Sequence, residues 1–129
     1  MSGYRPEYVE GLRLFNAGEF WAAHEALEVV WLPLPKGDPE RLHSQGLILL
    51  AAAFLHRERA RTDPARSAAP ALRCYRSALG KLETLPGRFL GLDVAALRDA
   101  ARACFEPLAE GAAPDAWPAP PRLVLEGTD

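Results

Sequence analysis

The fold is decided by residues 39–60, whose sequence is PERLHSQGLILLAAAFLHRERA. Asp38 is a good N-cap and Pro39 suits the first helical position, so a helix of about 22 residues is predicted here. Between Gly46 and Leu55 this helix is apolar almost all round, which predicts that it is the central, most buried one. The basic residues near its end, Arg57 among them, are predicted to form a solvated C-terminus where positive charge complements the helix dipole.

Four further helices are predicted around this one, because apolar residues recur at helical spacing on both sides of it. Prolines mark their limits: Pro6 and Pro64 fit helix starts, whereas Pro33 and Pro86 fit helix ends. The predicted helices cover residues 7–16, 19–32, 64–84 and 94–109. No strand is predicted. The expected fold class is therefore all-α, a compact bundle of about five helices.

Proline becomes frequent after Gly111, in the stretch AAPDAWPAPPRLVLEGTD, which is too rich in proline for a helix. We predict one helical domain over residues 1–111, followed by an extended tail over residues 112–129. Apolar residues in this tail predict that it packs on the bundle or on a partner: Trp117, Leu123, Val124 and Leu125.

Length and charge argue against several classes of protein. The chain has 129 residues and a formal net charge of −2, so it lacks the basic excess that nucleic-acid and membrane-surface binders need. The N-terminus shows no apolar stretch of a secretory signal, and the run of about ten apolar residues at 46–55 is too short to span a membrane. Cys74 and Cys104 are read as reduced thiols. We expect a cytoplasmic protein with no nucleic-acid or membrane partner.

The segment FWAAHEALEVVW, residues 20–31, carries the polar residues that suggest chemistry. His24 and Glu28 are four residues apart, so their side chains stack on one helix face, which Phe20 and Trp31 are predicted to share in the core. Glu25 points about 100° away. On the central helix, the predicted inward positions are Gln45, Leu49, Ala52 and His56.

An antiparallel pairing of the two helices would bring His24, Glu28 and Gln45 together in a buried cluster, with Gly46 allowing close approach. His56 lies about 16 Å further along the helix and cannot join it. The full set of candidate site residues is Trp21, His24, Glu25, Glu28, Trp31, Gln45 and His56.

Three interpretations of these residues compete. A buried polar network that fixes helix register is favoured. A small-molecule pocket lined by Trp21, His24 and Glu28, with Gln45 and His56, comes next. A metal site is the third, with His24 and Glu28 as its candidate ligands, although the zinc-protease pattern lacks its second histidine and no third ligand stands at a recognisable spacing. No cofactor is predicted.

Two resemblances can be stated. Residues 11–35 resemble a tetratricopeptide helix pair, without the repeats that such a solenoid needs. FNAGEFWAAHEALEVVW followed by QGLILLAAAFLH resembles the bacterial and archaeal domain-of-unknown-function family 309, over roughly residues 15–83. The residues that carry this likeness are Phe15, Gly18, Phe20, His24, Glu25, Glu28 and Trp31, then Gln45, Gly46, Ala51, Ala52 and His56. The resemblance implies a small helical bundle with no established activity.

The expected function is therefore binding or interaction, with a second copy of the chain or another protein as partner. The alternative is a small-molecule or metal site, in the extreme a hydrolytic enzyme, centred on His24 and Glu28. The sequence assigns no catalytic residue and does not decide whether the protein is an enzyme. An arginine-rich junction between the third and fourth helices is adequately explained as a solvated face.

Overall fold

The computed structural model describes residues 3–126 and has the predicted all-α architecture. Its elements in chain order are α1 (Pro6–Asn16), α2 (Phe20–Trp31), α3 (Pro39–Ala60), α4 (Pro64–Leu82), β1 (Arg88–Phe89), β2 (Leu92–Asp93) and α5 (Val94–Ala109). The observed limits of α3 and α5 coincide with the predicted ones. Asp38 caps α3 as expected, because its carboxylate accepts a hydrogen bond from the Glu40 backbone N–H at 2.8 Å.

Helix α3 lies at the centre of the bundle, packed against both α2 and α4, which barely touch each other. Its most buried stripe consists of residues with at most 1% of their surface exposed: His43, Leu47, Leu50, Phe54 and Arg57. These positions follow i, i+4, i+7, i+11 and i+14, the spacing of one helix face. Within residues 3–126, no helix is long and apolar enough to cross a membrane.

The placement of Arg57 corrects the sequence prediction. The residue was expected at a solvated helix end, yet only 1% of its surface is exposed. Its spacing from Phe54 and Leu50 turns it into the bundle, where its guanidinium lies over the rings of Phe54, at 4.9 Å, and Phe105, at 5.9 Å. Aromatic faces attract a cation, so this guanidinium is held in the core without a carboxylate among the described residues.

A small β-hairpin between α4 and α5 is the second correction, because no strand was predicted. Arg88 pairs with Asp93 and Phe89 with Leu92. The two residues between the strands both have positive φ, 47° at Leu90 and 80° at Gly91, as a tight hairpin turn of this length requires. Two-residue strands are too short to show the alternating pattern that predicts a strand.

The segment after α5 lies on the bundle. A short 3₁₀ helix (Pro114–Ala116) leads into Trp117, which is 8% exposed and donates its indole N–H to the Ala112 carbonyl at 3.0 Å. Further on, Leu123 exchanges two hydrogen bonds with the side chain of Asn16, at 2.7 and 2.8 Å. Residues 127–129 of the predicted tail lie outside the described part of the chain.

Candidate functional site

His24 and Glu28 form the pair that their spacing predicts, since His24 Nε2 lies 3.1 Å from Glu28 Oε1. Trp21 stacks on the imidazole, with ring centroids 5.3 Å apart and an interplanar angle of 8°. The three side chains therefore make one ordered group on α2, held by a carboxylate on one side of the imidazole and by an indole on its face.

This group is only partly buried, which corrects the expectation of a buried cluster, although the Nδ1 atom of His24 is itself buried and has no hydrogen-bond partner in the described structure. The side chain of Glu28 is 39% exposed, that of His24 is 22% exposed, and Trp21 is 59% exposed. The buried face of α2 consists instead of Phe20, Ala23, Leu27 and Val30. Each four-residue step along a helix turns about 40° further round its axis, so the steps from Phe20 to His24 and Glu28 leave the core-facing arc.

Gln45 does not join the pair: among residues 3–126, no hydrogen bond links it to His24 or Glu28. It lines a separate cavity of about 290 Å³ beside Lys36 and Arg41, at the start of α3. The whole stripe predicted to face inward is only half-buried: Gln45, Leu49, Ala52 and His56.

The remaining candidates are also dispersed. Arg41 lies 4.6 Å over the Trp31 ring and donates to the Leu34 carbonyl at 2.6 Å, so Trp31 helps to hold the loop after α2. His56, on α3, is half-buried, and burial, followed by the charges of Arg59 and Arg73, lowers its pKa. Glu25 is exposed.

The buried histidine of this protein is His43, which sequence reasoning passed over. It is fully buried, and its Nε2 lies 3.0 Å from the hydroxyl of Tyr8 on α1. That hydroxyl also donates to the Leu90 carbonyl at 2.9 Å, in the turn of the hairpin. A phenol has one proton to give and a carbonyl only accepts, so Nε2 of His43 carries the hydrogen and donates to Tyr8.

Burial at this three-element contact determines the protonation state of His43. Desolvation by burial lowers its pKa to about 4, so the imidazole is neutral at pH 7. Its Nδ1 is then a bare acceptor, and it is buried without a hydrogen-bond partner in the described structure. The contact joins α1, α3 and the hairpin turn, and we interpret its role as structural because the imidazole is fully buried.

Helix periodicity is the only feature of the sequence that indicates the burial of Tyr8 and His43. Both lie on apolar stripes, Tyr8 with Leu12 and Phe15, and His43 with Leu47 and Leu50. Their mutual contact spans 35 positions of sequence and has no local spacing that could reveal it.

All of these residues, from Tyr8 to Arg57, fall in one stretch of the chain for which a family model is known. Residues 8–68 match DUF309, a domain of unknown function. The resemblance stated from the sequence is thus confirmed, although the match begins at residue 8 rather than 15 and ends at 68 rather than 83. No curated protein matches the chain.

The DUF309 segment contains most of α1, all of α2 and α3 and the first residues of α4. It therefore includes the Tyr8–His43 pair and the His24 group, whereas Leu90 lies outside it. Within residues 3–126, no three His, Cys, Asp or Glu side chains are grouped so that they could hold a metal ion. The distinctive surface feature of the DUF309 segment is therefore the outer side of α2, where an aromatic ring is ordered and exposed.

Proposed function

We propose that this protein is a cytoplasmic interaction module that binds a protein partner through the exposed side of α2. We call this surface the α2 outer face; it consists of Trp21, Glu25, Glu28, Val29 and Leu32. The carrying observation is that, of the four large hydrophobic side chains exposed among residues 3–126, three lie here: Trp21 at 59%, Val29 at 57% and Leu32 at 62%.

Their spacing supports a single binding surface. Positions 21, 25, 28, 29 and 32 recur at helical intervals, so they form one stripe on the solvent side of α2. Contiguous apolar surface rimmed by polar residues marks interaction sites in soluble proteins, whereas isolated exposed hydrophobic residues are normal. On α2, Val29 and Leu32 lie one turn apart and form the contiguous apolar part of the stripe, Glu25 and Glu28 border it, and Trp21 lies beyond them.

Trp21 has the properties of an interface anchor. Its ring is already ordered by stacking on His24, which Glu28 holds from the other side. An anchor that is ordered before binding loses less side-chain entropy when the partner arrives, and tryptophan is enriched among residues that dominate binding energy. In this proposal the His24–Glu28 pair positions the anchor.

Charge indicates the kind of partner. The α2 sequence FWAAHEALEVVW contains two glutamates and no lysine or arginine, and Glu19 precedes it. A partner surface that is apolar and basic would meet complementary potential, which favours correct pairing and faster encounter. A helix with basic and small apolar residues on one side fits this description.

The proposal also assigns the parts of the chain. Residues 1–111 would form the interaction domain, with a tetratricopeptide-like helix pair at α1 and α2, and residues 112–129 its tail. The alternative is a small-molecule or metal site at His24 and Glu28, with hydrolytic activity. A metal ion there would need a third protein ligand, and the described residues do not supply one beside this pair.

The test uses a synthetic helix that carries lysine and alanine together on one face, titrated against the full chain in low salt. Replacing Trp21→Ala together with Leu32→Ala should weaken binding by about tenfold or more, because both anchors are removed. The free energy of unfolding should change by less than about 0.5 kcal/mol, because neither side chain is part of the core.

Val124→Ala is the matched control, since Val124 is 63% exposed but lies after α5. It should leave peptide binding unchanged. Unchanged binding by the Trp21 and Leu32 double variant would contradict the proposal. A loss of about 2 kcal/mol in its free energy of unfolding would show that the α2 outer face serves folding instead.

A further inference from the structure

Helix α4 carries the opposite charge to α2. Its sequence, PARSAAPALRCYRSALGKL, contains three arginines and a lysine and no acidic residue. The exposed stripe of this helix, which we call the α4 outer face, consists of Arg66, Ala69, Arg73, Arg76 and Gly80. Positions 66, 69, 73, 76 and 80 recur at helical spacing and therefore share one side.

The arginines of the α4 outer face are largely unpaired within the chain. Arg66 approaches Asp63 at 3.8 Å, with its side chain 88% exposed. Arg73 and Arg76 have no ion pair in the described structure. The other two residues of the stripe, Ala69 and Gly80, are small, and nothing lies within 4 Å of a Cβ built at Gly80.

The two outer faces are complementary in side-chain size and in charge. The α2 outer face has large apolar groups, led by Trp21, and two glutamates; the α4 outer face has small residues and three arginines. The two helices pack separately against α3 and make almost no contact with each other. One chain therefore cannot join its own two faces, whereas two chains can.

We infer that the α2 outer face docks on the α4 outer face of a second copy of this chain. This inference rests on the proposed function and names its partner. Trp21 and Leu32 would lie over Ala69 and Gly80, and the glutamates would meet Arg73 and Arg76. Because the two faces differ, the contact is heterologous, and repeating it builds an open chain of copies or a closed ring.

The contact is a weak one. A single helix-on-helix interface falls at the small end of specific interfaces, well below the area that obligate dimers bury. Exposed ion pairs add little energy and are screened by salt. Self-association should therefore appear only at high protein concentration and should weaken as salt is added.

The experiment is sedimentation or light scattering of the full chain from about 10 μM to 1 mM. The mean mass should rise with concentration in low salt. Glu25→Arg with Glu28→Arg should abolish the rise, and so should Arg73→Glu with Arg76→Glu, because each variant presents like charges on both faces. Glu106→Arg with Glu110→Arg, exposed on or beside α5, makes the same charge change elsewhere and should leave the rise intact.

Mixing is the decisive measurement. In a one-to-one mixture of the α2-reversed and α4-reversed variants, the basic α2 face of one meets the acidic α4 face of the other, and their native faces also remain complementary. The mixture should regain the rise in mass that each variant lost alone. Failure of the mixture to associate, or persistence of the rise in either variant alone, would overturn the inference.

A mean mass that stays monomeric for the unaltered chain over the whole series also overturns it. That outcome leaves the proposed function standing, because binding of the lysine-bearing peptide to the α2 outer face does not depend on a second copy. Absence of peptide binding by the unaltered chain, with self-association that each pair of charge reversals abolishes, would instead contradict the basic-helix partner of the proposed function and leave this inference standing.

Discussion

Arg57 of α3 donates its Nη1 to the carbonyl of Pro118, in the segment after α5, at 2.8 Å. The same nitrogen reaches the Cys104 carbonyl on α5 at 3.2 Å. Trp117 covers the guanidinium, with its ring centre 5.9 Å away. One buried cation thus ties the central helix, the last helix and the tail together, and burial lowers its pKa.

Replacing Arg57→Met should lower the free energy of unfolding by about 1–3 kcal/mol, because the Cys104 and Pro118 carbonyls lose their donor while methionine fills part of the space. The tail should also become more susceptible to proteolysis around residue 118. Urea unfolding and limited proteolysis measure the two effects. Arg59→Met, at an exposed position two residues on, is the control and should change neither. Equal stability of the two variants would show that Arg57 is not what holds the tail.

Tyr8→Phe tests the contact between α1, α3 and the hairpin. The ring stays in place, but the His43 Nε2–H and the Leu90 carbonyl both lose their partner, which should cost about 1–3 kcal/mol in the free energy of unfolding. Tyr75→Phe is the matched control. Tyr75 is also a buried tyrosine, 8% exposed against 3% for Tyr8, and it stacks on Phe105, but its hydroxyl makes no hydrogen bond in the described structure. Chemical denaturation should therefore show a lower free energy of unfolding for Tyr8→Phe than for Tyr75→Phe.

The pH dependence of stability should carry the signature of His43. Its pKa is about 4 in the folded chain and near 6.5 when unfolded, so the unfolded state takes up a proton first as the pH falls. The contribution of neutral His43 to the free energy of unfolding is complete above pH 6.5, declines between pH 6.5 and 4, and is lost below pH 4. The total change is about 3 kcal/mol. His56, whose pKa is lowered too, adds a smaller effect of the same sign.

The free energy of unfolding measured in urea across pH 4–7 checks this. His43→Leu should flatten most of the slope across this range. A slope that survives in His43→Leu would assign the pH dependence to other groups.

The sequence predicts the helices of this fold well and the faces of its central helix poorly. Prolines, caps and spacing place α3 at Pro39–Ala60 because these signals are local. Between Gly46 and Leu55, however, α3 is apolar on every side, so periodicity cannot choose which stripe is innermost. The prediction from the sequence is that the stripe through Gln45 and His56 faces the core, whereas the stripe that is buried runs through His43 and Arg57.

The same limit explains why the pairing of His24 with Glu28 is predictable from the sequence and the burial of the pair is not. The i, i+4 relation of His24 and Glu28 is local, and their pairing was correctly predicted. Whether such a pair lies in the core or at its margin depends on how α2 is rotated against α3, which is set by contacts from distant parts of the chain. The Tyr8–His43 and Arg57–Pro118 contacts arise only from that packing, over 35 and 61 positions of sequence.

Replacing a helical glycine by alanine has opposite expected effects at Gly46, where another helix lies close, and at Gly80, where only helix propensity changes. Sequence reasoning gave it a close approach to α2, but its neighbour is α4: a Cβ at residue 46 would lie 2.7 Å from Cδ2 and 2.9 Å from Cγ of Leu82. Because Leu82 is fully buried and cannot move freely, Gly46→Ala should cost about 1–3 kcal/mol despite the better helix propensity of alanine. Gly80→Ala, inside α4 with nothing within 4 Å of its Cβ, should instead stabilise by about 0.5–1 kcal/mol. Thermal and urea unfolding should therefore show changes of opposite sign in the free energy of unfolding of the two variants. If both substitutions stabilised the protein, α3 and α4 would pack less closely than the structure has them.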